Sequence, residues 1–147
     1  MSEVNRIKGL VFIPAAFLSF VTMMAGMIAL VPMVRLATGR LRVESIGEHL
    51  AAAMIATPAP TMLVIVAVFL PVVYAVMRWA RNPSPRVLAV GGALAAPLAA
   101  LLLLGMGTAL WGPMRHAPPP SEVAAFLFIY AAGGFVFGLT VGKLRQG

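Results

Sequence analysis

The 147-residue sequence has no cysteine and no aspartate, and only 10% of its residues are charged. The missing thiols exclude disulfides, thiolate metal sites, iron–sulfur ligation and thiol–disulfide exchange, whatever the compartment. The acids are Glu3, Glu44, Glu48 and Glu122, so any mechanism needing paired carboxylates must recruit from positions near segment ends. There is no G-x-S-x-G, no H-E-x-x-H, no phosphate loop and no dinucleotide fingerprint. An enzyme acting alone is not expected. Soluble domains carry about 25% charged residues. A chain this poor in charge and 61% hydrophobic is expected to have a bilayer as its main solvent.

What the sequence has in quantity is long uncharged intervals. Crossing the hydrocarbon layer takes roughly 18 or more apolar residues. Four stretches qualify, at about 9–34, 60–77, 87–114 and 123–142. None alternates as a barrel strand does, so each is expected to be a helix, the form that satisfies its own backbone in lipid. The first stretch follows Arg6 and Lys8 but exceeds the roughly 7–15 residues of a signal-peptide core, and it lacks a clear small-x-small cleavage site. It reads as a membrane anchor. The expected fold is all-α, a single polytopic domain over 1–147: a compact bundle of four transmembrane helices with a short amphipathic outer-face helix before the second span.

That short helix is expected at about 46–57. Ser45-Ile46-Gly47-Glu48 has the form of a capping box, in which serine accepts from the amide three residues on and glutamate reaches back. Ile46, Leu50 and Met54 then recur at four-residue spacing as an apolar stripe. Thr57-Pro58-Ala59-Pro60 separates it from the second span, because a residue before proline is pushed out of the helical region. The short Arg81–Arg86 connection makes spans two and three antiparallel neighbours. Pro118-Pro119-Pro120 favours a stiff, extended connection. Pro14, Pro71 and Pro97 lie inside apolar stretches and free the carbonyls of Leu10, Ala67 and Ala93, so kinks are expected there.

Lys and Arg set orientation, since basic loops resist translocation. One side collects Arg6, Lys8, Arg78, Arg81, Arg86, Lys143 and Arg145, and the other Arg35, Arg40, Arg42 and Arg115. Seven against four places both termini in the cytoplasm, and the predominance of arginine suggests a GC-rich bacterial genome. The net charge of +7 is spread as brackets around the spans and not as a stripe, so the expected partners are the bilayer and its anionic lipids, with no nucleic acid. Arg78, Arg81, Arg86, Lys143 and Arg145 are the expected lipid and orientation anchors.

The most specific pattern is a row of glycines, Gly134, Gly138 and Gly142, which recur every four residues and share one helical face. A face without side chains lets another backbone approach closely, which in lipid gains dispersion. The third span offers Gly91, Ala95 and Ala99 as a matching row, with Gly92, Ala96 and Ala100 beside it. Pairing within the chain, between copies and with a foreign helix are all open. Phe135 and Phe137, off the row, are expected to face lipid or partners.

No acid, base or gating charge interrupts the four stretches, which argues against proton-coupled exporters of the small four-helix multidrug kind and against voltage sensors. Ser19, Thr22, Thr61, Tyr74, Thr108, Tyr130 and Thr140 are expected to bond to backbone or neighbouring helices. His49 and His116 fall near one face and are weak candidates for a metal or haem, although no cofactor is expected. Met23 and Met27, with the glycine row, resemble the MxxxM and GxxxG elements of the eukaryotic copper-uptake trimers, which implies a Cu(I) pathway. The span number differs and there is no methionine-rich tail, so methionine as packing filler is the better account.

The resulting expectation is a non-catalytic accessory or structural subunit packed against a larger complex in the bacterial inner membrane. The alternatives are a homo-oligomeric channel or a carrier of a small solute or metal, and a haem- or metal-binding membrane subunit.

Overall fold

The computed structural model describes residues 10–111 and 118–146, with backbone alone over 106–111. The described chain is helical, with no strand among the described residues, and four of its helical stretches are long and apolar enough to span a membrane. Helix α1 covers Phe12–Ala37, and α2 covers Ile46–Ala56 after a short 3-10 turn at Val43–Ser45. The second span is α3, Pro58–Trp79. The third is divided into α4, Pro85–Leu94, and α5, Ala96–Trp111. The last is α6, Pro120–Gln146.

Helix α6 is the centre of the bundle, with α1 along one side and α4 along another. On α1 the buried positions Ala15, Ser19, Met23, Met27 and Val31 recur every fourth residue, the stripe that a straight helix turns toward one neighbour. Phe137 of α6 is fully buried and stacks on Phe12 at 6.3 Å between ring centroids, with Phe69 of α3 at 6.4 Å. Expected to face lipid, Phe137 lies instead in the core, because a helix at the centre of a bundle has neighbours beyond its glycine face. Phe135 is exposed.

Proline placement explains most of the irregularities. Pro58 takes the first position of α3, where a missing amide donor costs nothing, so the span starts two residues before its expected start at Pro60. Pro14 lies in the first turn of α1 and breaks nothing for the same reason. Pro32 sits inside α1 without ending it. Pro71 follows a π-helical turn at Ile65–Phe69, which absorbs the carbonyls that lack a donor. Ahead of Pro97 the helix does divide: Ala95 leaves the ladder, its amide donating to the Gly92 carbonyl at 3.2 Å. Pro120 opens α6 three residues before the expected start, which brings Glu122 into the first turn.

The capping box is not made. Ser45 sits at the end of the 3-10 turn with its hydroxyl donating back to the Arg42 carbonyl at 3.0 Å, so it is turned away from the amides of α2. Helix α2 has no buried residue, and Met54 of its apolar stripe is exposed. The hairpin before α4 has Asn82 at φ +56° and Ser84 as N-cap, its Oγ accepting from the Val87 amide at 3.3 Å.

Candidate functional site

Two ends of the bundle differ in how closely the helices approach. At the end carrying the Asn82 hairpin, α4 and α6 are in backbone contact. A Cβ built on Gly134 overlaps the Gly92 carbonyl, one on Gly138 overlaps the Leu88 carbonyl, and one on Gly142 falls 2.5 Å from Pro85 Cα. The glycine row of α6 therefore packs within the chain, against Gly92, Leu88 and Pro85. Gly91 points toward Val76 of α3 instead, and Ala95 and Ala99 are buried in the core. Toward α1, Gly133 makes room for Met23, whose Sδ would lie 2.7 Å from a Cβ there, and Gly26 makes room for Ile129. Ser19 Oγ donates to the Gly133 carbonyl at 2.9 Å, a buried bond between α1 and α6. Met23 and Met27 are both buried in this packing.

Beyond the division at Ala95 the arrangement changes. Helix α4 follows α6 closely, whereas α5 leaves it. A cavity of about 720 Å³ lies at this other end, the loop end. Its apolar wall comes from Ala100, Leu103 and Leu104 of α5 and Val123, Phe126 and Tyr130 of α6. Pro118 and Pro119 edge it, and its polar wall is Arg35, Arg40, His49 and Glu122.

Arg35, in the last turn of α1, donates through Nη2 to Glu122 Oε2 at 3.1 Å. The Glu122 side chain is only 6% exposed and that of Arg35 is 31% exposed. Helix ends favour this placement, a cation at the C-terminus of α1 and an anion at the N-terminus of α6. Arg35 Nη1 also lies 3.4 Å from His49 Nε2. A guanidinium has no lone pair, so the imidazole nitrogen is the acceptor there. Arg40 lines the mouth with no ion-pair partner among the described residues. Tyr130 also lines the cavity wall.

Sequence reasoning set His49 and His116 near one face but missed Arg35 as the group joining His49 to Glu122. The signal was present: an arginine closing the first span and a glutamate opening the fourth must share one end of an antiparallel pair. His116 lies outside the described residues, so the pairing of the two histidines is not described. Among the described residues no three His or acidic side chains are grouped to hold a metal ion. Thr22 and Thr140 donate to carbonyls four residues earlier on their own helices. Thr61 does likewise toward Thr57. Arg78, Arg81, Arg86, Lys143 and Arg145 are all exposed and gather at the hairpin end.

Comparison with protein-family models, curated proteins and solved structures finds no match for the chain.

Proposed function

We propose that the protein is a non-catalytic accessory subunit of a larger membrane complex. The observation that carries this reading is the disposition of the charged cluster. Arg35 engages the Glu122 carboxylate and faces the His49 imidazole, so the acid and the base that could do chemistry are both turned onto a guanidinium. General acid–base or nucleophilic work needs such groups directed at a substrate or at each other.

The outside of the bundle supports the same reading. The small-residue face is occupied internally, so a partner helix meets the apolar faces of α3 and α5, where Val66, Leu98 and Leu101 are exposed. Such side chains associate in lipid by shape and dispersion. We place the chain in a bacterial inner membrane with both termini in the cytoplasm, on the count of basic residues and the gathering of five of them at the hairpin end.

The test is extraction from native membranes in mild detergent, followed by sizing and mass spectrometry. Unlike chains at fixed stoichiometry support the reading. A lone homo-oligomer favours the second one, a channel or small-solute carrier, to which the division at Ala95 and the π-helical turn of α3 lend hinge points.

A further inference from the structure

The loop-end cavity is two-sided: one wall is charged and lies at the ends of α1 and α6, and the other is apolar and runs down α5 and α6. We propose that it is a binding site for an anionic amphiphile, a molecule with a phosphate or carboxylate head and at least one hydrocarbon chain. The head sits on Arg40 beside Arg35, and the chain lies against Leu103, Leu104 and Phe126.

Charge selects the head. Two guanidiniums face the mouth against one carboxylate, and that carboxylate already has Arg35, so the mouth carries a net positive charge centred on Arg40. Guanidinium presents a fixed fork of donors that matches a phosphate or carboxylate in pairs. A neutral head would leave that charge uncompensated, and a cationic head would be repelled.

The depth order selects the tail. The polar groups lie at helix ends and the apolar groups reach up to about three turns inside the spans, which is the order of head and chain in a lipid leaflet. A volume of about 720 Å³ falls within the range of small-molecule sites and exceeds what a lone headgroup anion fills. The Tyr130 hydroxyl adds one donor on the apolar side, suited to an ester or acid carbonyl partway along the ligand. The five basic residues at the hairpin end are a different case, since they are exposed and serve headgroups in general.

The experiment is native mass spectrometry of the full-length protein in nonionic detergent. The probes are dioleoyl phosphatidylglycerol, dioleoyl phosphatidylcholine, dihexanoyl phosphatidylglycerol and inorganic phosphate, each added alone. The expected order of retention is dioleoyl phosphatidylglycerol first, the short-chain form next and inorganic phosphate last, with the choline lipid below its glycerol counterpart. Arg40→Gln should weaken dioleoyl phosphatidylglycerol by about fivefold, one interfacial charge's worth. Arg81→Gln, at the hairpin end, should weaken retention less than Arg40→Gln, because it removes one of five exposed cations that serve headgroups in general. Ala100→Phe fills the apolar wall and spares both arginines, and it should abolish the dependence on chain length. Equal retention of the two dioleoyl lipids overturns the proposal. So does an equal effect of the Arg40 and Arg81 substitutions, which means surface attraction only. Retention of inorganic phosphate as strong as that of the long-chain lipid also overturns it, leaving an anion site without a chain pocket. The chain-length series uses the unaltered protein, so it decides even if the Ala100 variant does not fold.

Discussion

Gly92 and Gly134 face each other across α4 and α6 with nothing between their backbones, each lying where a Cβ of the other would have to be. In water such a gap-free contact would be one detail of a hydrophobic core. In lipid, where burying apolar surface does not drive helices together, close approach is the main source of association. Gly134→Leu should therefore destabilise the fold by at least about 3 kcal/mol, the upper range for overpacking, because carbonyl oxygens and not flexible side chains occupy the space. Gly47→Ala, in α2 with open space around it, should be neutral or stabilising by up to about 1 kcal/mol. Thermal unfolding of both variants in detergent checks the contrast.

The Arg35–Glu122 pair ties the end of the first span to the start of the last. One partner is nearly buried and the other partly exposed, so the cost of breaking it lies between that of surface and buried pairs. Glu122→Gln should lower stability by about 1–3 kcal/mol. A double-mutant cycle with Arg35→Gln should recover part of that loss, since removing both charges leaves no unpaired ion in the interior. Additive losses in the cycle would mean that the two side chains do not interact.

Ala95 marks where the third span divides, two residues before Pro97. Pro97→Ala restores the amide that Ala93 lacks and should let α4 and α5 run as one helix. The expected consequences are a more stable span and a smaller loop-end cavity, with weaker retention of an anionic lipid. Distances between spin labels on Leu101 and Phe128, both exposed, should change in this variant, and unchanged distances would place the cause of the division elsewhere.

The spans were legible in the sequence because charge bounds them, and charge is costly in hydrocarbon wherever it stands. Their ends moved by a few residues where proline decided: Pro58 and Pro120 look like breakers but begin helices, since the first turn needs no amide donor. The glycine row was legible as a face, whereas its partner was not. Periodicity says that Gly134, Gly138 and Gly142 line up, but choosing Gly92 over Gly91 depends on how α4 is rotated, which is fixed by Leu88 and Ala89 packing at the same time. Phe137 was misjudged for a related reason, because being off the glycine face says nothing about what covers the next face. The cavity could not have been read at all. It exists only because α5 departs from α6, a relation between helices that no single segment encodes.

Ser19 makes the one buried hydrogen bond between α1 and α6 among the described side chains. Ser19→Ala should cost about 0.6 kcal/mol, the average for such bonds between membrane helices, and no more than about 1.7 kcal/mol. Ser19→Leu should cost more, because Ser19 is fully buried beside Gly133.

The decisive measurement is photo-crosslinking in native membranes from a photoreactive residue placed at Leu101, on the exposed face of α5. The expected result is one unlike membrane chain captured at a yield that follows its stoichiometry, with little capture from a photoreactive methionine analogue at Met23, which is buried inside the bundle. Capture of only lipid, or of only a second copy of the same chain, would contradict the accessory-subunit reading.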